Sequence, residues 1–340
     1  MTTRRRPVIS VTAATGLLEA IEAARHDPDE ILGPLGLKRE VFLDPHGFVA
    51  VADFAQVLEE AARVTGDDGF GLHLGEHFHP KDLGPVAYVV LNSPTVGVAL
   101  ENVARYLRVH NEAASVSVVR GPRWTYLRHQ LSDLPVDRRR QHEELSLAVA
   151  LGMFRVMVGT AWVPVEVQFE HAAPLKTSEH TRVFGAPVTF GRLTNTFVVE
   201  HDFCDRQVPT ADARLYPILT TYLDRILEEL PPEDHVLASA RRTIAEAMRH
   251  GPPSLARVAE KMAMGARTLQ RRLAAYGLDF TALVDDTRRR FSLRYLDDPS
   301  NTLTEVAYLL GYSEVSAFNR AFKRWTGSTP SDYRRTRARR

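Results

Sequence analysis

A single cysteine, Cys204, in 340 residues excludes an intramolecular disulfide and any metal cage built from thiolates. No apolar run approaches the ~18 residues that a membrane-spanning helix needs. No membrane partner is therefore expected, and a cytoplasmic location is the default. The basic start, Met1-Thr2-Thr3-Arg4-Arg5-Arg6-Pro7, lacks the apolar stretch and small-residue cleavage site of a secretory signal. Also missing are the G-x-S-x-G nucleophile elbow, the G-x-x-x-x-G-K-[ST] phosphate loop and the G-x-G-x-x-G dinucleotide fingerprint. Cys204 lies in Asp202-Phe203-Cys204-Asp205, among carboxylates that oppose thiolate formation. With no nucleophile, acid/base set or cofactor motif, no catalytic residue and no cofactor are assigned, and an enzyme is not expected.

Two polar clusters are weighed and set aside. His73, His77 and His79 surround Glu76, but their spacing matches no helical ligand pair such as H-E-x-x-H, so solvated or loop histidines are expected rather than a metal site. His142-Glu143-Glu144 precedes an apolar stretch and reads as the charged first turn of a helix rather than an acid/base pair. Trp124, Tyr126, Phe154 and Trp162 are expected in the core, or lining an apolar pocket.

What is present is unevenly charged. The net charge is +1, but from Ala238 onward there are 20 Lys and Arg against 10 Asp and Glu, leaving 23 against 32 upstream. A basic module joined to an acidic one points to a polyanionic partner for the tail. Apolar periodicity predicts helices at about 15–24, 51–62, 95–110, 140–160 and 216–230. Alternation predicts strands at 115–119 and 123–128, a hairpin about Gly121-Pro122, and another at 165–170. Residues 188–190 and 196–199 form a further candidate pair around Gly191. Pro231-Pro232-Glu233-Asp234 breaks the chain, and everything after it is helical by period. The expected fold is an α+β N-terminal domain, helices with a small mixed or antiparallel sheet, over residues 1–232. It is followed by an all-α C-terminal domain at 236–340.

The tail contains a repeat. Leu255 to Met262, a turn at Ala263-Met264-Gly265, and Arg267 to Leu273 are echoed by Leu303 to Leu310, a turn at Gly311-Tyr312-Ser313, and Ser316 to Phe322. Helix, short turn, helix is the helix-turn-helix pattern, here at about 254–276 and 302–326. Ala259 and Ala307 let the paired helices approach. Leu269 with Leu273, and Phe318 with Phe322 and Trp325, form the expected buried stripes, and Ser313 is the expected cap of the last helix. Arg267, Thr268, Gln270 and Arg271 in one copy, and Ser316, Asn319, Arg320 and Lys323 in the other, fall on the opposite face. Arginine can bond guanine in two places and Asn or Gln can do so to adenine, so these faces suit a major groove. A helix across about 280–296 would space two reading helices by about one DNA turn, ~34 Å.

The tail also resembles the DNA-binding module of AraC/XylS-type transcription regulators. The resemblance rests on Leu269-Gln270-Arg271-Arg272-Leu273, Gly277, Leu310-Gly311-Tyr312-Ser313, Ser316-Ala317-Phe318, Arg320-Ala321-Phe322-Lys323-Arg324-Trp325, Gly327 and Pro330. Gly265 departs from it, standing where the family has a serine or similar cap. The upstream part is similar to the subgroup with a VirS/ornithine-regulator-like N-terminal domain, through Leu83-Gly84-Pro85-Val86-Ala87-Tyr88, Phe169 to Pro174 and Val183 to Gly191. The resemblance implies base contacts from Arg267, Gln270, Arg271, Val315, Ser316, Asn319 and Arg320. It further implies a promoter or operator in double-stranded DNA, a small-molecule effector whose binding residues are unassigned, RNA polymerase as a partner, activation of transcription, and a homodimer. Tyr216 to Leu230 is the candidate dimer or relay helix. Two rivals stay open: an enzyme carrying a targeting tail, and an architectural DNA-binding protein without an effector.

Overall fold

The computed structural model describes residues 6–338 apart from 122, 132, 133, 135, 193, 231–234, 275–277 and 298–300. The break at 231–234, Pro122 of the hairpin turn and Gly277 of the family pattern thus lie outside the described residues. The chain divides into two compact units, Met1–Pro231 and Pro232–Arg340.

In the first unit, β1 (Val8–Ser10) and β2 (Phe48–Ala50) form a two-stranded antiparallel sheet. Three-residue strands show no readable period, which is why sequence reading missed them. Between them lie α1 (Leu17–Ala23), α2 (Pro28–Leu32) and α3 (Arg39–Leu43). Next come α4 (Val51–Thr65), α5 (Phe70–His77), α6 (Pro85–Leu91) and α7 (Val96–His110). Their starts carry the expected signals: Pro28 follows an Asp27 cap that accepts from the Asp29 N–H, and the Thr95 hydroxyl accepts from the Val98 N–H.

A hairpin follows, β3 (Ala114–Arg120) and β4 (Thr125–Leu131), and then the long α8 (Arg140–Val158). The remaining strands correct one expectation. β5 (Glu166–Gln168), α9 (Ser178–Phe184), β6 (Val188–Thr189) and β7 (Asn195–Val199) are present, but β6 does not pair with β7. β6 runs parallel to β5, and β7 inserts antiparallel between β4 and β5, giving the order β3-β4-β7-β5-β6. All five residues of β7 are buried. A strand covered on both faces favours a continuous apolar run, and Phe197-Val198-Val199 supplies one. The parallel pair is possible because α9 provides the crossover connection.

α8 holds the unit together by serving two cores. Leu147 and Phe154 pack with Leu100, Leu127 and Phe197; Leu145 and Val149 pack with Phe54, Leu58 and Phe70. α5 seats against α8 through two glycines one turn apart. A Cβ at Gly71 would lie 2.0 Å from the Gln141 carbonyl oxygen, and one at Gly75 would lie 2.6 Å from the Ala148 Cβ. Of the aromatics singled out above, Phe154 and Trp162 are core, with Trp162 stacked on Phe203, whereas Trp124 and Tyr126 are half-buried. The unit closes with α10 (Leu215–Glu229), whose Leu223 is fully buried and whose Leu219 packs on the core. Its outward side is Leu215, Ile218 and Tyr222, the last two 66% and 52% exposed.

The second unit has helices and no strand among its described residues. They are α11 (His235–Met248), α12 (Leu255–Lys261), α13 (Ala266–Ala274), α14 (Phe280–Asp297), α15 (Leu303–Leu309), α16 (Val315–Thr326) and α17 (Pro330–Ala338). Ile244 and Met248 from α11, Val258, Leu269, Leu273 and Leu283 make one buried cluster.

Candidate nucleic-acid interface

α12 with α13, and α15 with α16, are the two helix-turn-helix pairs. α12 starts on Ser254, whose hydroxyl accepts from the Arg257 N–H; α15 starts on Thr302 in a reciprocal capping box with Glu305. Two residues past the end of each first helix the backbone turns left-handed, at Ala263 with φ 53° and at Gly311 with φ 72°. Alanine carries a conformational penalty there that glycine avoids. Gly311 is also a contact residue, because a Cβ would come within 2.8 Å of the Gly251 carbonyl oxygen.

The repeat shifts register inside the turn. Leu255 and Leu303 are 48 positions apart, but Leu269 and Phe318, and Leu273 and Phe322, are 49 apart and all fully buried. The second turn is one residue longer, so Glu314 and not Ser313 stands at the N-cap position of the last reading helix, without a side-chain bond to the helix backbone. The capping expectation for Ser313 is thereby corrected: the backbone enters the helix one residue later. Glu314 also accepts a 3.0 Å bond from the Ser316 hydroxyl.

With that register the two outward faces correspond position by position: Arg267 with Ser316, Gln270 with Asn319, Arg271 with Arg320. Arg267, Gln270, Arg271, Ser316, Arg320 and Lys323 are exposed, while Thr268, Val315 and Asn319 are half-buried. Arg267, Gln270, Arg271 and Arg320 make no hydrogen bond or ion pair among the described residues. Their donors are therefore available. The Asn319 Oδ1 is buried and unpartnered. Behind these faces, Phe318 and Phe322 contact each other at 5.7 Å, and each contributes about 1.5–3 kcal/mol by burial. Trp325 is only half-buried, so the expected third member of that stripe sits at its edge.

Sequence reading missed the clamp behind the second pair. From α14, the Arg288 Nε donates to the Leu310 carbonyl at 3.0 Å, and its guanidinium lies 4.3 Å from the Tyr312 ring centre. Arg324 of α16 pairs with Asp285 of α14 at 2.6 Å. Tyr308, on α15, is 61% exposed and was likewise not singled out.

The first unit carries a different kind of site. A cavity of about 150 Å³ lies between the β3-β4-β7 face of the sheet and helices α6, α7 and α8. Next to it is a sealed ionic cluster. His142, Glu143 and Glu144 do form the first turn of a helix, but they are buried, not solvated. Glu143 is 2.8 Å from His129 and 3.5 Å from Arg139, and Glu144 is 2.9 Å from both Arg140 and His180. Burial would raise the Glu143 carboxyl, but His129 and Arg139 outweigh it and hold it at about 2. Of the earlier histidines, His73 lies between Asp67 at 2.7 Å and Glu179 at 3.3 Å, His77 ends α5, and His79 caps a short 3-10 turn. Cys204 is buried, and burial pushes its thiol up.

Comparison with known proteins agrees with this two-part layout. Residues 26–208 match the family described as the arabinose-binding domain of the AraC transcription regulator, and residues 258–336 match a helix-turn-helix domain. The chain is 32% identical over 333 residues to the HTH-type transcriptional regulator VirS of Mycobacterium tuberculosis, covering 96% of each. It is 26% identical over 329 residues to the ornithine utilization regulator of Pseudomonas aeruginosa, again covering 96% of each. The crystal structure of the transcriptional regulator CdpR from Pseudomonas aeruginosa aligns over 93% of this chain and 98% of that one, at 23% identity and a TM-score of 0.45.

Proposed function

Because the chain belongs to the AraC/XylS family of DNA-binding transcription regulators, we propose that it is an effector-responsive activator with its roles divided between its two parts. Residues 1–232 sense a small molecule and dimerise, and residues 236–340 read a promoter or operator. Arg267, Gln270, Arg271, Ser316, Asn319 and Arg320 contact base edges, Val315 offers apolar contact to a thymine methyl, and Thr268, Lys323 and Tyr308 hold the backbone. RNA polymerase is the partner through which binding becomes activation. The observation that carries the reading is the matched pair of arginine-bearing faces, each backed by two fully buried apolar residues.

The direct test uses the full chain and an operator selected from random duplexes. Arg320→Ala is expected to weaken specific binding by ~1–3 kcal/mol and to relax choice at one base pair. Unchanged affinity together with unchanged base preference would remove α16 from the interface.

Dimerisation is assigned to α10. Leu219 and Leu223 face the unit's own core, so acidic substitutions there would unfold the unit rather than split a dimer. Leu215, Ile218 and Tyr222 are the outward apolar residues. Ile218→Asp with Tyr222→Asp is expected to give a folded monomer in sedimentation velocity, and a dimer that persists rules out this face. Effector binding must favour one arrangement of the chain over another. A ligand found by thermal shift of the full chain against a metabolite panel supports that role, since a ligand stabilises the state it binds.

A further inference from the structure

The cavity in the first unit lies at the seam of its two cores. Leu100, Leu127 and Phe154 on its wall belong to one cluster, Leu145 and Val149 to the other. A void where two cores meet is space that neither core has filled. At about 150 Å³ it admits one small ring, as apolar cavities of this size do.

Its polar groups narrow the chemistry. His110 and His142 are both on the wall and almost fully buried. Burial pushes each imidazole down to about 4, so both are neutral at physiological pH. The Phe54 ring meets His142 edge-on at 5.3 Å, and the His142 Nδ1 is buried without a hydrogen-bond partner. An unsatisfied buried polar atom is destabilising unless something else binds it. The wall's cationic side chain, Arg128, is already engaged, and His129 is held by Glu143. A charged ligand would therefore lose its hydration with no free counter-charge to replace it. A hydroxyl both donates and accepts, so it suits either tautomer of a neutral imidazole.

We infer that this cavity is the effector site and that it takes a compact uncharged molecule, about one substituted ring with a single hydroxyl, received by His142. The inference rests on the effector-sensing role proposed above. Three probes share one skeleton: p-cresol, toluene and 4-methylbenzoate, titrated calorimetrically into the full chain. p-Cresol is expected to bind about tenfold tighter than toluene, and 4-methylbenzoate more weakly than either. His142→Phe keeps an aromatic beside Phe54 and should erase the difference between p-cresol and toluene. Ala150→Leu, on the wall from α8, should fill the space and abolish binding of both, with circular dichroism verifying that it folds. Equal binding of p-cresol and toluene, or binding untouched by both substitutions, overturns the inference. If 4-methylbenzoate binds best, or if only the metabolite panel yields a ligand, this inference falls and the effector role stands. If every probe and the whole panel are silent, both fall.

Discussion

Replacing Arg139 by methionine is expected to cost the first unit about 3–5 kcal/mol of folding free energy at neutral pH. Arg139 is 2% exposed, and its guanidinium donates to Glu170 at 2.6 Å and to the carbonyls of Leu131 and Leu134 at 2.5 and 2.6 Å. It also faces Glu143. Methionine matches its bulk but takes a cation from the buried Glu170, one of two from Glu143, and the guanidinium donors from two carbonyls. Arg139→Lys should recover only part of the loss, because an ammonium cannot reproduce the planar fork. The pH dependence has a definite sign. The Glu143 carboxyl sits at about 2, below its usual 4.5, so its contribution to stability is complete above about 4.5 and lost as pH falls toward 2. The variant lacks one of the charges that hold Glu143 down, so its deficit is largest at neutral pH and narrows in acid. His110 acts in the parent and variant alike: burial depresses it from 6.5 to about 4, so both proteins lose stability as pH falls through that window, and His142 adds a loss of the same sign that is smaller without the Arg139 charge. Urea unfolding at pH 7.5 and 3.5 measures this, and a deficit below about 1 kcal/mol at pH 7.5 would mean that the cluster is not a structural anchor.

The same cluster marks where sequence reading stops. The helix-turn-helix units were readable because each is a local object: apolar residues at helical spacing, a three- to five-residue connection, a cap and a repeat to compare against. The helices at 51–62, 95–110, 140–160 and 216–230 were readable for the same reason. The partner of a strand is not local. Val188-Thr189 and Thr196-Phe197-Val198-Val199 lie six residues apart with Gly191 between them, and nothing in the alternation says that β7 must instead fill the gap between β4 and β5. Glu143 and Glu144 looked like surface because charge in a first helical turn is ordinary. Arg139 is one helical turn before Glu143, but His129 and His180 come from two other places along the chain, and only the fold brings them in. The site residues on α13 and α16 were found by facing alone, whereas the clamp from Arg288 needed the third dimension.

The double substitution Arg271→Ala with Arg320→Ala is expected to give the largest functional loss. The two arginines occupy corresponding positions of α13 and α16, are both exposed and share no partner among the described residues. If each reads a base, each is worth ~1–3 kcal/mol. Losses at independent positions add to within about 0.5 kcal/mol, so the pair should lose about 2–6 kcal/mol. That is roughly 30-fold to more than 10,000-fold in Kd. Fluorescence anisotropy with the selected operator and a random duplex, at several salt concentrations, separates the possible causes. Base contacts predict a large loss on the operator, a small one on the random duplex, and a nearly unchanged slope against salt. Phosphate contacts predict equal losses on both and a slope shallower by about one per arginine removed. A double variant no weaker than either single variant would mean that only one unit reads sequence. The second copy would then serve to position the first, as Arg288 positions the turn before α16.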